Sequence, residues 1–389
     1  MAIRIMHVVE AVGAGGGVEN GIANLIAHMD ATRYEHVLCA VARLGPHTER
    51  YPAVRVRIVS LHQKPRRFQS QVAPLARVIR ELQPNVVHSR NWGALEAVFA
   101  ARWAGAGMAI HSEHGLEMAP AAEPRRRRWL RRAAFEAAHR VFAVSSGLRD
   151  ALARSTGFPR WKFGVIHNGV DTRRFQPDGA MRRQFRAKFG IGENEFCIGC
   201  VGRLDRVKDY PTVLRALERF SGACSSWRLL IAGEGVERAA LQAQAAQSGA
   251  LRGRVLFLGD WQRVPELLSG VDAYVLSSTF EGLSNSLLEA MASGAAVLAT
   301  RAGGNPELVV DEESGLLFPA GDAAALADGL TRLCFREEER RRLAAAAVSR
   351  VAREFSLDAM VDQYEALYAQ PPCHWPQRRT QPAVRRSEV

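Results

Sequence analysis

What this sequence lacks narrows its reading first. Its strongest apolar stretch, Ala94 to Ile110, is broken by Glu96 and Arg102, whereas a membrane helix needs about 20 consecutive apolar residues. Cysteine is scarce, at 6 of 389 residues, and only Cys197 and Cys200 fall close together. Three apart on a strand, they face opposite sides, which disfavours a zinc or redox pair and makes them buried thiols. The first apolar run carries Arg4 and no cleavage pattern follows it, so no signal peptide and a cytoplasmic location are expected. A phosphate-loop Gly-Lys-Ser/Thr is missing. The glycines at 13, 15, 16 and 17 fail the dinucleotide spacing, because Val18 and Asn20 stand where a third glycine is needed, and the second strand ends in Ala42-Arg43 rather than an acid.

Acid is short too. Lys and Arg number 52 against 40 Asp and Glu, a net charge of +12. The excess is one-sided: residues 1–175 hold 26 basic and 13 acidic residues, and the remainder 26 and 27. Much of it is the run Arg125, Arg126, Arg127, Arg128, Arg131 and Arg132 around Trp129 and Leu130. Such a run suits an anionic membrane surface, nucleic acid, an acidic ligand or a solvated helix face.

What is present is a pattern repeated twice: a short apolar run, a glycine-bearing turn and an amphipathic helix. Strands are expected at Ile3–Val9, His36–Ala42, Val54–Ser60, Val86–His88, Met108–Glu113, Val141–Ser145 and Gly164–His167. A second series follows at Phe196–Gly202, Arg228–Ala232, Val255–Leu258, Ala273–Leu276 and Ala296–Thr300. Continuous apolar strands alternating with helices mean parallel sheets covered on both faces. Two doubly wound units side by side enclose a cleft at their carboxyl ends. The turn Asn168-Gly169 and Pro177 mark the boundary, a helix over 357–369 is expected to pack back on the first unit, and the Gln/Arg/Pro-rich remainder reads as a disordered tail.

Two clusters carry chemistry. Glu281 and Glu289 flank the turn Ser284-Asn285-Ser286-Leu287 just after the strand Ala273–Leu276. Ser or Asn there caps a helix whose backbone N–H groups face an anion in the cleft. After the strand Phe196–Gly202 come Arg203 and Lys208, a planar fork and a mobile point charge suited to a diphosphate. Ion pairs with Asp205 and Asp209 are the competing role for both.

These residues, with Gly16-Gly17-Val18-Glu19, Glu113-His114-Gly115, Val144-Ser145-Ser146, Asn168-Gly169-Val170-Asp171, Ala232-Gly233-Glu234-Gly235 and Ala290-Met291-Ala292-Ser293-Gly294, resemble the GT-B-fold retaining glycosyltransferases of family four. The resemblance runs through residues 3–370. Val87-His88-Ser89-Arg90-Asn91-Trp92 and His111-Ser112-Glu113-His114-Gly115 look more narrowly like the sugar transferases of exosortase (PEP-CTERM) exopolysaccharide clusters. The resemblance implies an α/β chain of two Rossmann-like domains facing each other across a cleft. An acceptor-side domain would span 1–170 and a nucleotide-sugar domain 171–355, with a returning helix at 356–370 and a tail at 371–389. It also implies a donor site of Gly16, Gly17, Arg203, Lys208, Glu281, Ser284, Asn285, Ser286, Leu287 and Glu289. In it Glu281 contacts the sugar, Glu289 the ribose, and Arg203 and Lys208 the leaving diphosphate. His114 would face the sugar, while His88 and His111 are structural. A UDP- or GDP-sugar donor, a lipid-linked glycan acceptor, no metal and no other cofactor follow. The patch Arg125–Arg132 with Trp129 would then rest on the inner membrane surface. Where the family often has Pro after Ser293-Gly294, this chain has Ala295-Ala296. An epimerase or hydrolase using the same donor without an acceptor, and a basic nucleic-acid-binding protein, are the competing functions. The second leaves the paired glutamates and the glycine turn without a purpose.

Overall fold

The computed structural model describes residues 2–13, 16–48, 51, 56–62, 71–115 and 123–370. The tail expected from residue 371 lies outside them. Among the described residues the strands form two wholly parallel sheets. The first, ordered β3-β2-β1-β4-β5-β6-β7, is built from β1 (Ile3–Val12), β2 (Tyr34–Leu44), β3 (Val56–Ser60), β4 (Val86–Arg90), β5 (Met108–Glu113), β6 (Arg140–Ala143) and β7 (Phe163–Val165). The second, ordered β10-β9-β8-β11-β12-β13, comprises β8 (Phe196–Val201), β9 (Trp227–Ala232), β10 (Val255–Gly259), β11 (Ala273–Leu276), β12 (Ala296–Thr300) and β13 (Leu316–Phe318). These are the two expected Rossmann-like α/β domains.

In each sheet the winding reverses beside the first strand, between β1 and β4 and between β8 and β11. Crevices at the carboxyl ends of such strands are where doubly wound sheets take ligands. Strand β8 shows why both faces are covered. Cys197 lies in one apolar core and Cys200 in the other, as side chains three apart on a strand must. Both are free thiols, and burial pushes each up to about 12.

The broken apolar stretch Ala94 to Ile110 holds the helix Glu96–Ala104 and leads into β5. Among the described residues no helix is long and apolar enough to cross a membrane. Strand β13 and the helices Glu96–Ala104, Arg125–Ala137, Ser146–Thr156, Gly179–Lys188, Ala323–Phe335 and Glu337–Glu354 add to the elements expected from sequence.

The chain passes between the domains twice, at adjacent points. Val170 N–H donates to Phe355 O at 3.0 Å and Leu357 N–H to Val170 O at 2.9 Å. Gly169 is required there, since a Cβ would stand 2.7 Å from Ser356 O. The helix Leu357–Tyr368, capped by Ser356, then buries its apolar face on the first domain, against Ile5, Leu25, Met29 and Ile110. Leu357, Met360 and Val361 are each worth about 1.5–3 kcal/mol when fully buried, enough together to hold the helix in place.

Candidate functional site

The second domain supplies its charges from the loops after its two switch strands. Past β8, Asp205 caps a short 3-10 turn, Arg206–Lys208, by accepting from Lys208 N–H. The Lys208 side chain reaches across to the loop after β11, where its Nζ lies 2.5 Å from Glu281 Oε1. Ser278 Oγ donates to the same oxygen at 2.6 Å, and Ser277 Oγ to Lys208 O at 2.6 Å. Lys208 and Glu281 are thus one ion pair across the carboxyl ends of neighbouring strands. Arg203 is not brought to it. Its side chain is 79% exposed and turns to Asp205 at 3.2 Å. The expected two-cation clamp is therefore reduced to Lys208 in this structure.

The helix Asn285–Ala292 starts immediately after Glu281. Ser284 caps it, accepting from Leu287 N–H at 3.3 Å. Leu287, expected at the donor site, has a fully buried side chain, so here it offers its backbone, whose N–H donates to Ser284 Oγ. Ser286 Oγ lies 2.8 Å from the Tyr274 hydroxyl. One turn further on, burial pushes the Glu289 carboxyl up to about 7 against the opposing pull of Arg174.

The first domain meets this edge at three points. Asn285 Nδ2 donates to Gly17 O at 3.2 Å, while Asn168 Nδ2 donates to Asn285 Oδ1 at 2.8 Å. That joins the glycine turn after β1 to the helix N-terminus, with Gly16 beside it as the preceding N-cap. At the end of β5, His114 O packs on Gly282, where a Cβ would stand only 2.1 Å away. Gly303, at φ +55, closes the far side of the loop, since a Cβ there would overlap Glu281 O. The structure thus gathers Gly16, Gly17, His114, Lys208, Glu281 and Asn285 along one interdomain edge.

His114 is a neutral imidazole. Burial first, then Arg90, pushes it down to about 3. The backbone N–H of His114 donates to Asn91 Oδ1 at 2.7 Å, and the ring Nε2 is 3.0 Å from Ser112 Oγ.

Glu307 was not anticipated. Its carboxylate accepts from Ser146 and Gly147 N–H at 2.8 and 2.7 Å, at the N-terminus of the first-domain helix Ser146–Thr156, and meets His167 Nε2 at 3.2 Å. Burial opposes ionisation of this carboxyl; the bonds from His167 and the two amides outweigh it and hold the group below its usual range. Only Val144-Ser145-Ser146 hinted at a helix start there, and nothing in sequence marked its partner.

The arginine run also needs correction. It opens the helix Arg125–Ala137, and at 3.6 residues per turn Arg127 and Arg131 share the inward face. Arg131 is 2% exposed and binds both Glu113 and Glu123, which require a buried counter-charge. Arg127 pairs with Glu123 at 3.2 Å and lies 4.2 Å over the Trp92 ring. Arg132 turns to Gly157 O and Glu136. Arg125, Arg126 and Trp129 are exposed, and Arg128 is half-buried. Among the described residues no group of three or more His, Cys, Asp or Glu is disposed to hold a metal ion.

Comparison with known proteins bears on this geometry. Residues 15–174 match the family Glycosyltransferase Family 4, and residues 181–350 match Glycosyl transferases group 1. The chain is 31% identical over 211 residues to the N-acetyl-alpha-D-glucosaminyl L-malate synthase of Bacillus anthracis, covering 54% of each chain. It is 31% identical over 266 residues to a GDP-mannose-dependent alpha-(1-6)-phosphatidylinositol monomannoside mannosyltransferase of Mycolicibacterium smegmatis, covering 66% of this chain and 68% of that one. The chain spans about half to two thirds of the length of the curated relatives it matches. Among solved structures, Anabaena Alr3699/HepE in complex with UDP and glucose superposes with a TM-score of 0.81 at 21% identity, covering 95% of this chain and 100% of that one.

Proposed function

Since the chain belongs to the GT-B glycosyltransferases that join a family 4 and a group 1 domain, we propose that it transfers a sugar from a UDP- or GDP-sugar to a glycan acceptor, with retention and without a metal ion. The acceptor is read as lipid-linked and the setting as exopolysaccharide assembly. The observation that carries the reading is the Lys208–Glu281 pair beside the N-terminus of the helix Asn285–Ala292.

Breaking the bond between the anomeric carbon and the diphosphate oxygen leaves negative charge on that oxygen and positive charge on the sugar. A fixed cation and a helix N-terminus beside the leaving group stabilise this transition state more than the bound donor. Glu281 holds Lys208 in place until donor arrives. The carboxylate then lies beside the sugar, and Glu289, one turn into the helix Asn285–Ala292, faces the ribose. Arg203, exposed and paired with Asp205, exchanges that partner for the diphosphate when it is present. The acceptor hydroxyl attacks the face from which the diphosphate departs and gives its proton to the departing oxygen, so the anomeric configuration is kept. His114 meets a donor-sugar hydroxyl from the opposite domain, and Gly16 and Gly17 leave room for the phosphates. A panel of nucleotide sugars in a thermal-shift screen, followed by NMR assignment of the product anomer, tests this. One donor should raise the Tm and yield a product of the donor's own anomeric configuration. No stabilising donor, or an inverted product, overturns it.

Contact with the inner membrane surface now rests on Arg125, Arg126 and Trp129 alone, an interfacial aromatic flanked by cations. Flotation with anionic but not neutral liposomes supports it; equal behaviour with both rejects it.

A further inference from the structure

Behind His114 lies a buried chain of hydrogen bonds that leads out of the site to the last helix. His114 Nε2 is 3.0 Å from Ser112 Oγ, Ser112 Oγ is 2.8 Å from His88 Nε2, and His88 Nδ1 is 2.7 Å from the Tyr368 hydroxyl. Strand alternation makes this possible, because His88, paired with Ile110, lies on the same face of the sheet as Ser112, and His114 follows just past the end of β5. Ser112, His88 and Tyr368 are almost wholly enclosed.

Such a chain can run in two directions, each assigning different tautomers to both histidines. Tyr368 decides between them. Its side chain is buried, and among the described residues its hydroxyl has one hydrogen-bond acceptor within reach, His88 Nδ1. The Tyr368 proton must then go to His88 Nδ1. His88 carries its own proton on Nε2 and donates to Ser112, whose hydroxyl donates to His114 Nε2. In the reverse direction the Tyr368 proton would be buried without an acceptor among the described residues, which proteins avoid. Arg90 polarises a separate branch, with Nη1 donating to His7 Nδ1 at 2.9 Å and His7 Nε2 facing His36 Nδ1 at 3.1 Å. Burial and Arg90 keep His7, His88 and His114 uncharged, so tautomer is the variable left to set.

We propose that Tyr368, His88 and Ser112 are positioning residues that hold His114 as the tautomer with its proton on Nδ1, making it a hydrogen-bond donor at the site. That His114 then serves a sugar hydroxyl rests on the function proposed above; its tautomer does not. The last helix, which arrives from the second domain, thereby sets the chemistry of a first-domain residue, and Tyr368 acts without touching it.

The test uses the full chain labelled with 15N-histidine, with His114 and His88 assigned by His114→Gln and His88→Gln spectra. Long-range proton–nitrogen correlations should show His114 with a protonated Nδ1 and an unprotonated Nε2, and His88 with the opposite pattern. Tyr368→Phe should move His114 toward the Nε2–H form that free histidine favours, and Ser112→Ala should do so more fully, while Ser112→Thr restores the original pattern. In a transfer assay Tyr368→Phe should lower kcat about tenfold, with donor KM little changed. A protonated Nε2 on His114 in the unaltered protein, which needs no variant, overturns the proposal. So does a His114 pattern that neither Tyr368→Phe nor Ser112→Ala disturbs. If the tautomer pattern holds while no donor is turned over, the functional reading fails and this inference stands.

Discussion

The two domains back the same edge with opposite materials. Behind its contribution the first domain buries a polar interior: His88, Ser112 and Arg90 on one face of β4 and β5, and Ser89, His111, Glu113 and Arg131 on the other. Behind Lys208 and Glu281 the second domain buries mainly apolar side chains, such as Leu204, Leu276, Leu287 and Leu288, and it leaves this ion pair shallower than the one at Arg131. Depth governs what a charge does. A deep ion pair is committed to the fold, because either partner alone is costly to bury. A shallower pair can exchange its partner for a ligand.

The largest expected effect lies on the first side. Arg131→Met leaves Glu113 and Glu123 buried without a cation and should cost about 3–5 kcal/mol in urea unfolding. Burial alone would raise the Glu113 carboxyl; Arg131 and His111 outweigh it and hold the group at about 2. Its folded pKa is therefore depressed. The stability it contributes is present above the unfolded value of 4.5 and is lost as pH falls through about 2. The variant's deficit should accordingly shrink on acidification from pH 6 to pH 3. A deficit below 1 kcal/mol at pH 7 would mean the buried network is replaceable and would break the contrast.

On the second side the effect should appear in rate. Lys208→Ala should reduce kcat about 100- to 1000-fold, as loss of one preorganised charge-stabilising donor does. Unfolding stability should change by about 1 kcal/mol or less, since both side chains keep some contact with solvent and Ser278 still binds Glu281. A comparable loss of stability, with kcat intact, would make Lys208 another fold-committed charge and erase the difference between the domains.

How far sequence reached follows the same division. Apolar runs and turns are read from local pattern, so the strands Ala273–Leu276 and Ala296–Thr300 come out with the bounds the structure has. Glu281 and Lys208 were legible because each directly follows a strand at the winding reversal. What stayed hidden was orientation. Arg127 and Arg131 look like Arg125 and Arg126 in a row of arginines, and only the location of Glu113 and Glu123 turns them inward. Arg203 was placed by analogy with a bound phosphate, whereas without one its nearest partner is Asp205. Glu307, remote in sequence from Ser146, could be paired with it only by the docking of two domains.

Glu289 sharpens the comparison, being a half-buried acid of the second domain near the site. Its folded pKa of about 7 lies above the ordinary 4.5, so between those values the folded chain keeps a proton that the unfolded chain has released. Stability should therefore fall as pH rises across that window, by about 1–3 kcal/mol in total. Glu289→Gln should match the natural protein near pH 4.5 and exceed it by that amount at pH 8 in urea unfolding. Equal pH dependence in both proteins would show the carboxyl to be solvated, and the second domain to bury no free acid there.

The smallest expected effect sets the control for the largest. Arg126 shares a helix and a sequence run with Arg131, yet is exposed, with no acid within ion-pairing distance among the described residues. Arginine and alanine differ little in helix propensity, so Arg126→Ala should change unfolding stability by no more than about 0.5 kcal/mol. Measured beside Arg131→Met, it removes the same charge from the same element and varies only depth. If both variants lose several kcal/mol, the helix depends on its total charge and not on which face carries it. If only Arg131→Met does, burial has divided one run of arginines into a structural half and a half left free for an external surface.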